Sequence, residues 1–243
     1  KKGQVTQFRR VAEFSEKYRT PGKVGGNAST ATTPTAKLTE VTTFKGQEGA
    51  VNAVCFSPDG ELVASGGDDK VVRVWKRATG DVVANLTGHQ QKVMGLAWSP
   101  RGDLIASAGE SGEVKLWAVP AWKEVPTKVN EGAFAGKCVL FGPAGDRLIC
   151  SAFVAKEGFA EAGRGVRVWD IQADRAVIDL NHDRAVMGLA VSPDGRHLAA
   201  TTQDGYAKVW ELPGGKAVYS RKQDQTRGVA FSRDGKALAV GWN

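Results

Sequence analysis

A tryptophan closes four short apolar runs at near-regular intervals, at Trp75, Trp117, Trp169 and Trp210. Each run follows a hydrophobic stretch and a turn of one kind: FSPDG (56–60), WSPRG (98–102), FGPAG (141–145) and VSPDG (191–195). A fifth turn, FSRDG (231–235), has no tryptophan after it. The distance from the start of the turn to the tryptophan is 19 residues in the first, second and fourth copies and 28 in the third. The third copy therefore carries an insertion of nine. Internal self-similarity of this kind constrains the fold before any single residue does, because each unit must bury its faces against its neighbours.

Each unit reads as four short strands. In the first, VNAVCF (51–56), ELVAS (61–65), VVRVW (71–75) and DVVANL (81–86) alternate apolar and polar residues between turns rich in Gly, Pro and Asp. Proline presets one turn dihedral and glycine takes the left-handed one, and no stretch sustains helical periodicity over three turns. Four-stranded units of this length predict the blades of an all-β propeller.

The pattern resembles the WD40 family, over residues 41–243. The Trp-Asp pair that names the family stands at Trp169-Asp170, and the Gly-His that opens a blade stands at Gly88-His89, with His182 in the equivalent place later. The resemblance implies a hydrogen-bonded tetrad of His, Ser, Asp and Trp in each blade. The first copy offers Ser65, Asp69 and Trp75 with Gln47 in place of His. The second offers His89, Ser107 and Trp117 with Ser111 in place of Asp, and the fourth His182, Asp204 and Trp210 with Ala200 in place of Ser. With no copy complete, the expectation is that apolar packing holds the blades more than this network does.

The expected organisation is a basic extension (1–19), a linker (20–36) and a propeller (37–243). Its repeats fall near 45–86, 87–130, 131–180 and 181–221, with a partial fifth at 222–243. Four blades and a half do not obviously close, so the ring is expected to be larger, of about seven blades, or completed by another chain. KLTEVTTF (37–44) reads as an outer strand and QVTQFRRV (4–11) as a strand that could join it. The spacing over 4–18 fits a short amphipathic helix equally well.

Eight Lys and Arg against three Glu in residues 1–40 give that segment a net +5, while the repeats carry 25 basic and 23 acidic residues. Any nucleic-acid contact is therefore expected at the leader, through Lys1, Lys2, Arg9 and Arg10. The competing reading is a solvated extension. No run of eighteen apolar residues is present, and no apolar core follows the basic start as a secretory signal requires. Cys55, Cys138 and Cys150 fall on expected strands and read as small buried hydrophobes of a reducing compartment, cytoplasmic or nuclear, with organelle import left open.

Catalytic and phosphate-binding motifs are missing, and the three histidines (His89, His182, His197) have no convergent partners, so no cofactor, metal or enzymatic role is expected. The resemblance instead implies binding on the face that carries the turns between second and third strands and the links between blades. Candidates there are Gln90, Lys92, Glu110, Asp183, Arg184, Gln203, Arg227 and Trp242. The insertion, FVAKEGFAEAGR (153–164), is read as enlarging a link on that face. It places two aromatics among charges, with Phe153, Lys156, Phe159, Glu161 and Arg164 as candidate contacts. The alternative is that both phenylalanines fold back over the blade edge. Trp122 reads as packing between blades, and the remaining aromatics as core.

The leading expectation is a non-enzymatic scaffold that binds protein partners within a larger assembly. The alternatives are a propeller that exchanges nucleotide on a small GTPase of vesicle-coat assembly, suggested by the third-blade insertion, and an RNA- or ribosome-associated propeller using the basic leader.

Overall fold

The computed structural model describes Phe8–Arg9 and residues 42–110, 112–130, 133–154, 163–182, 184–222 and 226–242. Among these residues every regular element is a strand. Four antiparallel sheets of four strands follow one another in sequence. The first blade is β3 (Val51–Phe56), β4 (Leu62–Gly67), β5 (Val72–Lys76) and β6 (Val82–Leu86). The second is β7 (Val93–Trp98), β8 (Leu104–Gly109), β9 (Val114–Ala118) and β10 (Lys123–Val125). The third is β11 (Ala133–Phe141), β12 (Arg147–Val154), β13 (Gly163–Asp170) and β14 (Arg175–His182), and the fourth β15 (Val186–Val191), β16 (His197–Thr202), β17 (Tyr206–Glu211) and β18 (Lys216–Lys222). A half-blade, β19 (Thr226–Phe231) with β20 (Leu238–Trp242), follows. The chain is thus a β-propeller arc with the expected strand order.

The alternation within a blade decides which residues meet the next one. Cys55, Ala64 and Val74 are in register on one side of the first blade, and Phe56, Val63 and Trp75 on the other. The former side packs on the second blade, where Val72, Val74 and Leu86 share an apolar cluster with Val93, Trp98, Ile105 and Trp117. Equivalent clusters join the second blade to the third and the third to the fourth. Each fully buried aliphatic side chain there, such as Val93 or Leu198, contributes roughly 1.5–3 kcal/mol. Backbones also approach closely: a Cβ on Gly95 would stand 2.4 Å from the Lys137 carbonyl oxygen, so β7 lies beside β11 only because residue 95 has no side chain.

Two aromatics depart from expectation: Tyr219, on the outermost strand of the fourth blade, is 43% exposed, and Phe56 is the other. Trp98, Phe141 and Val191 occupy the position of Phe56 in their blades and pack with the preceding blade. Phe56 itself is 49% exposed and Val54 54%, because no described blade stands on that side of the first one. Among the described residues, β2 (Thr43–Phe44) places Phe44 on that face against Val63 and Trp75, the Phe44 and Trp75 ring centroids 5.6 Å apart. Within QVTQFRRV, Phe8–Arg9 is the short strand β1, antiparallel to β2 in a sheet of their own. The segment 20–36 lies outside the described residues.

The cysteines lie on β3, β11 and β12 and are free thiols. Burial pushes Cys55 and Cys150 up to about 12 and raises Cys138 as well. Trp122 packs with the cluster between the first and second blades, as a packing residue should.

Candidate interaction face

One end of the arc gathers the turns between second and third strands and the links between blades. A repeated backbone bond fixes this: Asp68 N–H donates to the Ala50 carbonyl, Glu110 to Lys92 and Gln203 to Ala185, at 2.9, 2.8 and 2.9 Å. Each turn is therefore tied to the link that enters its own blade.

Beneath this end the first two blades carry complete networks, contrary to the expectation from sequence. In the first, Trp75 Nε1 donates to Ser65 Oγ at 2.8 Å, Ser65 donates to Gln47 Oε1 at 2.5 Å, and Gln47 Nε2 donates to Asp69 Oδ1 at 3.0 Å. Glutamine replaces histidine because it also offers one acceptor and one donor at opposite edges. Asp69 further accepts from the Glu48 N–H and from Arg73. Burial opposes its ionisation, but these hydrogen bonds, that from Arg73 foremost, outweigh it and hold the carboxyl below its usual range.

In the second blade, Trp117 Nε1 donates to Ser107 Oγ at 2.8 Å, and His89 Nε2 stands 2.6 Å from the same oxygen. The acid is Glu113, 3.0 Å from His89 Nδ1. It lies two residues beyond Ser111, the position the repeat assigns to Asp. Gly112, with φ of 93°, precedes it in the turn before β9, and the signal that could have revealed it is a carboxylate in that same turn.

The third and fourth blades differ. In the third, Ser151 Oγ exchanges bonds with the Cys138 backbone, and Trp169 Nε1 turns to Asp174 Oδ1 at 3.2 Å. Arg167, 6% exposed, makes a two-pronged pair with Asp179 at 2.7 and 2.9 Å and lies over the Trp169 ring. Asp179 faces Arg167 across β13 and β14, a cross-strand pair absent from the repeat pattern. In the fourth, His182 meets Trp210 edge-on, with ring centroids 5.0 Å apart, and Thr202 donates to Asp204 at 2.6 Å.

The insertion lies between β12 and β13 and so enlarges the turn between second and third strands, not a link as expected from sequence. The two loop classes share one end, so its face is unchanged. Part of it is strand: Phe153 pairs with Arg164 in the ladder. Lys156, Phe159 and Glu161 lie outside the described residues, as do Asp183, Lys1, Lys2 and Arg10, while Arg9 is on β1 and Trp242 pairs with Thr226 at the end of β20.

The remaining candidates fall into two groups. Lys92 Nζ reaches Asp68 at 3.1 Å, and Asn52 bridges that carboxylate to the Val93 carbonyl. The hydrogen bond from Asn52, then Lys92, holds Asp68 below the usual carboxylate range. Gln90, beside them, folds back onto the Gly88 carbonyl at 3.2 Å, and Glu110 is exposed. At the other end of the arc, Gln203 and Arg227 line a cavity of about 230 Å³ with Met187 and Thr226. Arg184 is exposed in the adjoining link. Met187 was not singled out by the repeat pattern; it is 38% exposed, an apolar side chain among polar ones. Among the described residues no group of three or more His, Cys, Asp or Glu could hold a metal ion, and no helix is long and apolar enough to cross a membrane.

The family described as WD domain, G-beta repeat matches residues 38–76, 80–118 and 176–211. The third blade is largely outside these matches. Similar proteins include the Periodic tryptophan protein 2 homolog of Mus musculus, 35% identical over 80% of this chain and 21% of that protein. The Nuclear distribution protein PAC1 of Gibberella zeae is 32% identical over 74% of this chain and 44% of its own length. A shorter stretch, 17% of this chain, is 55% identical to 5% of the Ribosome biogenesis protein erb1 of Pyrenophora tritici-repentis. The chain spans about a fifth of the Periodic tryptophan proteins it matches and under half of the Nuclear distribution proteins.

Proposed function

The chain is a WD40-repeat protein, and from that premise we propose that it is a non-enzymatic scaffold, binding a protein partner through the face of turns and links. The observation that carries this reading is the cavity formed by Met187, Gln203, Thr226 and Arg227, which combines an exposed apolar side chain with hydrogen-bonding and cationic groups. A peptide can bury a side chain beside Met187 while Gln203 and Arg227 orient its polar atoms. Relatives named for ribosome biogenesis and nuclear distribution favour a place in a larger assembly.

The test is capture from cell extract with the intact chain, with Arg227→Glu, and with a form lacking residues 155–162. Loss of one partner set in either variant, at an unchanged unfolding midpoint, is the expected result. Partners that survive both changes but disappear with residues 1–23 and with added salt would overturn it in favour of a basic nucleic-acid contact.

A further inference from the structure

The turn between third and fourth strands contains one residue with left-handed backbone in each complete blade, always five positions after the tryptophan. These are Gly80, Trp122, Asp174 and Gly215, with φ of 79°, 55°, 46° and 68°. In three of the four, its N–H closes the turn at 2.8 Å onto residue 76, 118 or 211. The backbone is thus the same and only the side chain changes.

In the second blade that side chain is Trp122. With Trp98 it joins the apolar cluster that includes Val83 and Ala84 of the first blade. In the fourth blade both aromatics are gone: Val191 stands where Trp98 does, and Gly215 where Trp122 does. The third blade answers with Ile178 in place of Ala84. A Cβ on Gly215 would lie 2.0 Å from Ile178 Cδ1, so the isoleucine has taken over part of the space used by Trp122. One isoleucine does not replace two indoles. A crevice of about 330 Å³ remains between the third and fourth blades, walled by Ile149, Val168, Val177, Val191, Leu212 and Pro213. That volume is in the range of ligand sites, and Val177 at its wall is 36% exposed.

Two carboxylates stand in the lining, Asp146 and Asp194. Arg147, the one cation of the lining, is engaged by Asp170 and lies 3.9 Å from Asp146, and Arg196 and His197 neighbour Asp194. Hydrogen bonds from the Ser192 hydroxyl and the Arg196 N–H keep Asp194 ionised.

We propose that this crevice binds an aromatic side chain, tryptophan above all, from a peptide of a protein partner that carries Lys or Arg beside it. The ligand supplies in trans the plug that Trp98 and Trp122 supply between the first two blades, and its cation meets Asp146 and Asp194. An indole gains from burial against the apolar wall, and its N–H can reach the polar mouth. The crevice opens at the end of the blades opposite the turns and links, so this site stands whether or not that face binds a partner.

The probe is a blocked five-residue peptide, Gly-Lys-Trp-Lys-Gly, titrated into the isotopically labelled intact chain and followed by NMR. Controls are the same peptide with Ala for Trp and with Glu for both Lys. Shifts at Val177, Val191 and Leu212, and affinity reduced at least about tenfold in each control, are expected. Val191→Trp, which restores the repeat's own plug, should abolish binding, and Asp146→Asn should weaken it severalfold. Val177→Glu, at a half-exposed position, replaces Val191→Trp if that variant does not fold. Arg227→Glu, which tests the other face, should leave this titration unchanged. Absence of binding at millimolar peptide, or binding indifferent to Trp in the peptide or to both Val191→Trp and Val177→Glu, overturns the proposal.

Discussion

The second and third blades share strand order and the position of their tryptophan, yet different bonds hold them. In the second, Ser107 stands between Trp117 and His89, and Glu113 completes the chain. In the third, Cys150 stands at the serine's place, the adjacent Ser151 is spent on the Cys138 backbone, and Arg167 with Asp179 supplies the buried polar connection. The blade geometry therefore does not need one particular network. Different partners can satisfy the polar groups buried in each. The family pattern matches the second blade and leaves most of the third unmatched, which is the same difference seen from the side of sequence.

The comparison breaks most sharply at the two serines. Ser107→Ala leaves two buried groups, on His89 and Trp117, without their shared partner and should cost about 3 kcal/mol. Ser151→Ala removes a bond to the backbone of the neighbouring strand β11 and should cost about 1 kcal/mol. Urea unfolding midpoints measure both, and equal losses would mean that the networks are equivalent after all.

The next effect is expected in the third blade. Asp179→Asn removes the charge opposite Arg167 and should cost about 2 kcal/mol, less than for a fully enclosed pair because the Asp179 side chain is 33% exposed. Glu113→Gln in the second blade keeps an acceptor for His89 and should cost about 1 kcal/mol. The same unfolding measurements rank them, and the reverse order would mean that Arg167 finds a sufficient partner in the Val129 carbonyl.

The smallest effect sharpens the contrast between the first two blades. Burial holds His89 below its usual value, against the opposing pull of Glu113. The unfolded chain then takes up the proton first, so stability is fully present above about pH 6.5 and falls as the pH drops below it. Lys115 also disfavours the cation and Glu124 favours it. The first blade, with Gln47, has no such dependence. His89→Gln should keep the network at pH 8 and flatten the unfolding midpoint between pH 6.5 and 5. An unchanged slope would place the titrating group elsewhere.

Much of the arc was legible in the residues. Turns such as FSPDG and the alternation leading to each tryptophan are local signals, and they fixed four blades and a half. That Lys92, Glu110, Gln203 and Arg227 share one end followed from the family resemblance. Glu113 was missed because the expected acid was sought at one position, 111, although the same turn carries a carboxylate two residues on. The role of Gln47 was missed because the pattern names a residue type where the structure requires only one donor and one acceptor. Phe56 was taken as core because its repeat position is core in the other blades, but burial there belongs to a neighbour and not to the residue.

Sequence by itself determined the strands, their order and the side each residue takes, since these depend on neighbours one or two positions away. Tertiary structure alone decided that Met187 joins Gln203 and Arg227 at one cavity and that Arg167 meets Asp179 beneath the third blade. It also decided that Val191 and Gly215 leave a space which Ile178 only partly fills. Those outcomes depend on volumes and charges brought together from separate strands or separate blades, and repeat spacing carries no record of how well the two sides fit.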